Sequence, residues 1–463
     1  MIGSLVLFGA SGDLAGRYLL PALAALLDAG RLPHGFALLC ASREDYDDES
    51  FRRHAAERLR QHASHVPAGA REALVASLRY RSVDLTDADS VARVVEAAAH
   101  DGTPSARTAL PTASTAAYLA LPPGLFAAAV RSLGQAKLPA GSRIVIEKPF
   151  GASLEDAIAL NALLRRVCGA AGERAIFRVD HVLGMSQLQG LVESRSADPN
   201  GPAAGHGERI EQVEILWEET LGLEGRAGYY DTAGALKDVM QNHLLQILSL
   251  VAMEPPASAG ERTLRDGKVA ALGSVRSLGP TEVASRTHRA RYTGGHLAMT
   301  GGASGQAVPA YVDERGVDAA RDTETFAEIT LELDDPRWAG TRFLLRAGKA
   351  MAQRRRGVSF HFRTGKRRWV DFDSPADGTP EAGGTPGTRR ESESSAYARV
   401  LLDILSDGSS LSVRGDEAEA AWRIVTPVLE GWADGRVPME QYQAGSSGPP
   451  RTAARARRMG GRP

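Results

Sequence analysis

The sequence predicts an α/β plus α+β architecture: an N-terminal Rossmann-like dinucleotide-binding domain followed by an α+β domain with a large, mostly antiparallel sheet. Three observations predict it. Through the first third of the chain, short aliphatic runs alternate with longer stretches of helical period, the grammar of βαβ units and a parallel sheet. A glycine-rich turn, Gly9-Ala10-Ser11-Gly12-Asp13-Leu14, follows the first aliphatic run directly. Beyond about residue 205 the apolar period shortens to two, as in strands with one wet face.

Taken in order, the predicted parallel strands are Ser4–Phe8, 36–41, 116–121, Arg143–Glu147 and 175–180. Helices are predicted at 20–29, 50–60 and 153–168, the last opening with Ser-Leu-Glu-Asp as N-cap and acidic first turn. The period-2 segments are 212–218, 327–333 and 358–363. Two stretches lack the apolar content to fold, 374–395 and the arginine-bearing 444–463. The domains are therefore expected at 1–180 and 181–443, with 444–463 as a disordered Arg/Gly/Pro-rich tail.

The 463 residues exceed one ordinary core, and 43% apolar with 24% charged residues is a globular composition. Lys and Arg total 55 against 56 Asp and Glu, a net charge of −1, which excludes the basic footprint of a nucleic-acid binder. Cys40 and Cys168 make no disulfide framework, which fits a reducing compartment. With no basic start and no long apolar run, neither signal peptide nor membrane span is expected, and the location expected is cytoplasmic.

The glycine turn falls where a helix begins, so its backbone N–H groups suit a pyrophosphate. The next strand ends at Ser42-Arg43, where an NAD-selective site places a carboxylate on the ribose 2′-hydroxyl. A hydroxyl and a guanidinium suit a 2′-phosphate instead, which favours NADP; Glu44 and Asp45 follow and leave NAD open. Two more strands exit through prolines, at Tyr118-Leu119-Ala120-Leu121-Pro122-Pro123 and at Glu147-Lys148-Pro149-Phe150-Gly151. Both exits lie at carboxyl ends of strands, where open α/β sheets bind ligands.

Arg178-Val179-Asp180-His181 ends the last parallel strand with a carboxylate beside an imidazole. A later helix carries Asp238 and an apolar stripe of Leu236, Met240, His243, Ile247 and Val251. His243 is then either a satisfied core histidine or a general base held in its tautomer by Asp180.

These motifs in this order resemble the glucose-6-phosphate dehydrogenase family over nearly the whole chain. The resemblance is carried by GASGDLA, YLALPP, EKPFG, RVDH, GRAGYYD, DVMQNHLLQ, VPAYVDERGV with DTETFAEI, RWAG leading to LRAGK, and DEAEAAWRIVTP. The glucose–fructose oxidoreductase type shares EKP but lacks GDLA, QNH and the C-terminal stretches. The resemblance implies oxidation of a sugar at C1 to a lactone, with hydride passing to NADP and His243 removing the hydroxyl proton. It implies that Asp180 orients His243, that Lys148 approaches the reacting hydroxyl and cofactor, and that Glu219 and Asp238 bind sugar hydroxyls. It makes His181 the phosphate-binding histidine and matches Lys349 and Arg354 to basic positions lining the substrate pocket. Gly9, Ala10, Ser11, Gly12, Asp13, Leu14, Ser42, Arg43, Pro122 and Lys148 would hold the cofactor. No metal is implied, and a homodimer or homotetramer is expected.

The chain departs from the family where the phosphate is held. The usual RIDHYLGKE reads here as RVDHVLGMS, so Val182 and Met185 replace a tyrosine and a lysine. Tyr18 stands where a lysine is expected, and the N-x-L-x-I-x-x-Q-P-x-E segment is missing, replaced by 374–395. Glucose 6-phosphate is the leading substrate. The alternatives are another aldose or modified sugar phosphate with the same chemistry, or a catalytically weak NADP-binding paralogue.

Overall fold

A computed structural model describes residues 2–100, 114–197, 209–255, 260–297, 305–374 and 392–450, apart from positions 224 and 226. The chain forms two compact units. The first comprises Met1–Ser186 and Glu391–Ala418, the second Gln187–Arg390 and Glu419–Pro463. Where the sequence suggested one passage between domains at 180, the chain crosses at 186, returns at 391 and leaves again at 418.

The first unit is built on six parallel strands: β1 (Ser4–Phe8), β2 (Ala37–Ser42), β3 (Arg79–Ser82), β4 (Thr115–Leu119), β5 (Arg143–Glu147) and β6 (Ile176–Val179). Their order is β3-β2-β1-β4-β5-β6, the doubly wound arrangement, and β1 pairs with β2 on one side and β4 on the other. That reversal of direction is the crevice where such sheets bind nucleotides. β1, β4, β5 and β6 are buried along their whole length, which is why apolar residues dominate them, with Arg143, Glu147 and Arg178 as buried charged exceptions. β3 was not expected, because only Tyr80 among its four residues is buried.

Capping sets the helix starts. Asp47 accepts the Ser50 amide at 2.7 Å, and Ser50 Oγ accepts the Asp47 amide at 3.0 Å, so Asp48–His62 opens on a capping box. Ser153 accepts the Asp156 amide at 3.2 Å and opens Leu154–Cys168. The returning segment places helix Glu393–Leu405 in the first unit, capped by Ser392. The expected loop over 374–395 is therefore ordered at its far end, and 375–391 lies outside the described residues. Arg178 of the RVDH motif ties this return down. Fully buried, it donates to Asn161 at 2.7 Å and Glu173 at 2.5 Å, while its carbonyl accepts the Val413 amide at 3.0 Å.

The second unit contains β7 (Ile210–Glu218), β8 (Thr287–Thr293), β9 (Gly295–Leu297), β10 (Gln306–Val308), β11 (Phe326–Leu331), β12 (Arg342–Gly348), β13 (Arg355–Phe362), β14 (Arg367–Asp371) and β15 (Met439–Gln443). β9 and β10 pair with each other, and the rest form a mixed sheet of order β14-β13-β7-β12-β11-β8-β15. Pairing is antiparallel except for β7 with β12 and β8 with β15. One sheet face carries a cross-strand ionic ladder: Glu218 with Arg355 at 2.6 Å and Glu328 with Arg346 at 2.5 Å. The π-helical turn Leu236–Leu244 and the helix Leu245–Ala252 pack as a buried rod. Ordered chain continues past the expected start of the tail: Ala444 is buried and the Gly445 amide donates to the Ala350 carbonyl at 2.8 Å. Residues 451–463 lie outside the described ones. Among the described residues no helix is long and apolar enough to cross a membrane.

Candidate active site

At the carboxyl end of β1 the chain turns sharply at Gly9, whose φ of +80° belongs to the left-handed region. A Cβ there would run into the Ala120 carbonyl, so glycine is required on both counts. The Gly9 and Ala10 amides donate to the Ala41 carbonyl at 2.8 and 3.2 Å, locking the turn to β2. Gly12 and Asp13 are exposed at its mouth, and Leu14 leads into the first helix. Asp13 accepts Arg58 at 2.7 Å and Arg17 at 3.1 Å, which gathers two guanidinium groups beside the turn. Gly16 makes this packing possible, because a Cβ at that position would strike the Arg58 side chain. An exposed cradle flanked by arginines fits a pyrophosphate.

Ser11 donates to Glu44 at 2.7 Å and holds that carboxyl below its usual range. Ser42 is buried, with its hydroxyl against Tyr80 Oη at 2.8 Å. Of the pair expected to meet a 2′-phosphate, only Arg43 therefore presents its side chain to solvent, 92% exposed. Pro122 is exposed at the exit of β4.

Behind the exits of β4 and β5 lies a pair that the sequence reading left without a role. Tyr118 donates to Glu147 at 2.5 Å, both buried. Burial pushes the Glu147 carboxyl up to about 7, against the lowering pull of Tyr118 and Lys148, with Asp180 pushing further upward. Lys148, half-buried, precedes a cis peptide to Pro149. The folded protein thus holds a proton that the unfolded chain releases near 4.5. This contribution to stability is full below that value and is lost as pH rises to 7, a change of about 3 kcal/mol at most. Glu147→Gln, neutral throughout, is expected to flatten the fall of Tm between pH 5 and 7.5. Glu324, likewise pushed to about 7 by burial, leaves the variant a residual slope.

Asp180 is fully buried after β6 and accepts the Val182 amide at 3.3 Å, capping the single turn His181–Gly184. The His181 ring stacks on Tyr397 at 5.1 Å, and Tyr397 stacks on Tyr18 at 5.4 Å. Val182 and Met185 are buried beside this column, and Arg399 donates to the Gly184 carbonyl at 2.5 Å. Tyr397 belongs to the returned helix, and no local pattern in the sequence announces that return.

The second unit gathers the remaining residues. Lys349 lies 2.7 Å from Glu219 and 5.0 Å from the centre of the Tyr230 ring, and Tyr442 fixes its carbonyl at 2.7 Å. Asp238, at the start of the π-helical turn, acts electrostatically on the same Tyr230. His243 is 3% exposed, with its ring 5.2 Å from Trp217. Arg354 makes two 2.9 Å bonds to Asp373, which also takes Arg356. Trp217 and Arg356 were missed by the sequence reading. A period-2 count puts Trp217 on one face with Val213 and Ile215, but the arginine that faces it is set by strand register alone.

Residues 6–190 match the model of the glucose-6-phosphate dehydrogenase NAD binding domain. Residues 206–379 and 385–462 match that of the glucose-6-phosphate dehydrogenase C-terminal domain. The glucose-6-phosphate 1-dehydrogenase of Treponema pallidum (strain Nichols) is 35% identical over 96% of this chain and 92% of its own length. The crystal structure of the Mycobacterium avium glucose-6-phosphate 1-dehydrogenase superposes with a TM-score of 0.80 at 29% identity, covering 99% of this chain and 96% of that one. A glucose-6-phosphate dehydrogenase in complex with its substrate glucose-6-phosphate gives 0.79 at 25% identity, covering 96% and 95%. With both family domains matched in order along nearly the whole sequence, the chain belongs to the glucose-6-phosphate dehydrogenase family.

Proposed function

We propose that the protein oxidises glucose 6-phosphate at C1 to 6-phosphoglucono-1,5-lactone, with NADP as hydride acceptor and His243 as general base. The observation that carries this reading is the similarity to a glucose-6-phosphate 1-dehydrogenase over 96% of the chain. When NADP is bound, its nicotinamide supplies the acceptor for the C1 hydride. His243 takes the C1 hydroxyl proton, and the electron pair of that O–H bond becomes the second bond of the lactone carbonyl. Asp180 orients the imidazole and stabilises the imidazolium. Lys148 sits at the reacting hydroxyl, and Glu219 and Asp238 hold sugar hydroxyls. The 2.7 Å Lys349–Glu219 pair supports the role of Glu219, since it holds the carboxylate in one orientation. His181 takes the phosphate, and Lys349 and Arg354 are basic groups lining the substrate pocket. The protein acts in the cytoplasm as a homodimer or homotetramer.

A second reading keeps the chemistry but changes the sugar, and the buried Val182 and Met185 favour it. NADPH formation with glucose 6-phosphate and with free glucose, each with NADP and with NAD, separates the two. Efficient turnover of the phosphate ester supports the first reading. Cofactor binding with poor turnover of glucose 6-phosphate and efficient turnover of another aldose supports the second. Binding without turnover of any sugar overturns both in favour of a cofactor-binding paralogue.

Cofactor choice rests on Arg43, the exposed guanidinium at the end of β2. Arg43→Ala is expected to raise KM for NADP about 10- to 100-fold through loss of a charge-assisted bond to the 2′-phosphate, with KM for NAD little changed.

A further inference from the structure

Trp217 touches two groups on the helix-covered face of the second unit's sheet. Arg356, its direct partner across β7 and β13, lays its guanidinium 4.6 Å from the centre of the indole. The His243 ring lies 5.2 Å away, tilted by 37°. All three side chains are buried, with exposures of 2% for Arg356 and 3% for Trp217 and His243. Arg356 is itself pinned. Its Nε and Nη2 both reach Asp373 Oδ1, at 3.1 and 2.8 Å, and its carbonyl accepts the Phe372 amide at 2.8 Å. Asp373 is anchored in turn by the two bonds from Arg354 and by its amide on Asp371 at 3.0 Å.

A histidine on a helix has its Cβ placed by the backbone, while the plane of its ring turns about χ2 in a broad well. Asn242 bonds the His243 amide at 2.7 Å and the Lys237 carbonyl at 2.9 Å, both backbone groups, so these two bonds hold the helix rather than the ring. A rigid indole against the imidazole limits the planes the ring can take, here at a tilt of 37°. A guanidinium on the indole, bound to a carboxylate, keeps that surface from moving.

We propose that Trp217, braced by Arg356, is a positioning residue that sets the plane of the His243 imidazole for proton abstraction. The inference rests on His243 being the base. Proton transfer and hydride departure need aligned orbitals, and a small misplacement of a reacting group costs a large factor in rate while binding is retained. The effect therefore falls on kcat and spares KM.

The test uses the full-length enzyme with glucose 6-phosphate and NADP. Trp217→Leu is expected to lower kcat about 10- to 100-fold with both KM values within about twofold of wild type. Trp217→Phe restores most of the loss, and Arg356→Gln gives a smaller loss of the same kind. The split between a lowered kcat and retained KM values, together with rescue by phenylalanine, is a readout that mere packing does not give. A Trp217→Leu kcat within twofold of wild type overturns the inference. If Trp217→Leu does not fold, Arg356→Gln decides: a lower kcat with both KM values retained supports the inference, and an unchanged kcat overturns it. Undiminished kcat in His243→Asn overturns the assignment of the base and the inference with it, whereas an inactive His243→Asn beside a fully active Trp217→Leu overturns the inference alone.

Discussion

His243→Asn is expected to lower kcat for sugar oxidation by a factor on the order of 10²–10⁴, the usual contribution of a positioned general base, with KM for sugar and cofactor near wild type. Asparagine is the informative replacement because His243 is 3% exposed inside a helix buried on every side. Alanine would open a hole as well as remove the base, and loss of packing would confuse the rate. The side chain of asparagine stays polar and fills part of the volume. The competing role for a buried histidine, a satisfied core residue, makes the opposite forecast: Tm falls by several degrees and kcat per folded molecule is retained. Steady-state kinetics together with a melting curve separate the two. A variant that melts near wild type and turns over at less than a hundredth of its rate identifies the base.

What the sequence disclosed and what it concealed divide along physical lines. β1 and the Gly9 turn were legible because β1, buried on both faces, is apolar in four of its five residues, and a positive φ against the Ala120 carbonyl admits only glycine. β3 was illegible because three of its four residues are exposed arginines and serine. His243 was found through its motif, yet the apolar stripe drawn through it understated the burial of the helix. Gln241, Asn242, Gln246 and Ser249 are as buried as Leu236 and Met240, so polarity does not track exposure there. Tyr118 with Glu147, and Trp217 with Arg356, are contacts between strands, and residues 29 or 139 positions apart carry no local mark of meeting. The Tyr397–His181 stack depends on the chain's return to the first unit, which a linear reading with one boundary does not contain.

The double variant Val182→Tyr with Met185→Lys is expected to raise kcat/KM for glucose 6-phosphate on the order of a hundredfold. It returns to the turn after β6 one phenolic donor and one ammonium, and charge-assisted bonds of this kind contribute about 1.5–3 kcal/mol each. The structure sets a counter-effect that makes the result more than a check of affinity. Val182 is 0% exposed and Met185 4%, next to a His181 ring already stacked against Tyr397. A lysine at 185 is desolvated in the absence of a dianion, so its charged form is disfavoured and the free variant melts below wild type. A bound phosphate removes that penalty, and the rise in Tm on adding glucose 6-phosphate should be larger in the variant than in wild type. Higher kcat/KM with this enlarged ligand-induced shift means the wild-type site has given up phosphate recognition that the turn is still shaped to provide. Unchanged kcat/KM with a destabilised free protein means the phosphate in wild type is held by other basic groups, and that the apolar wall at 182 and 185 is part of this chain's own packing around His181.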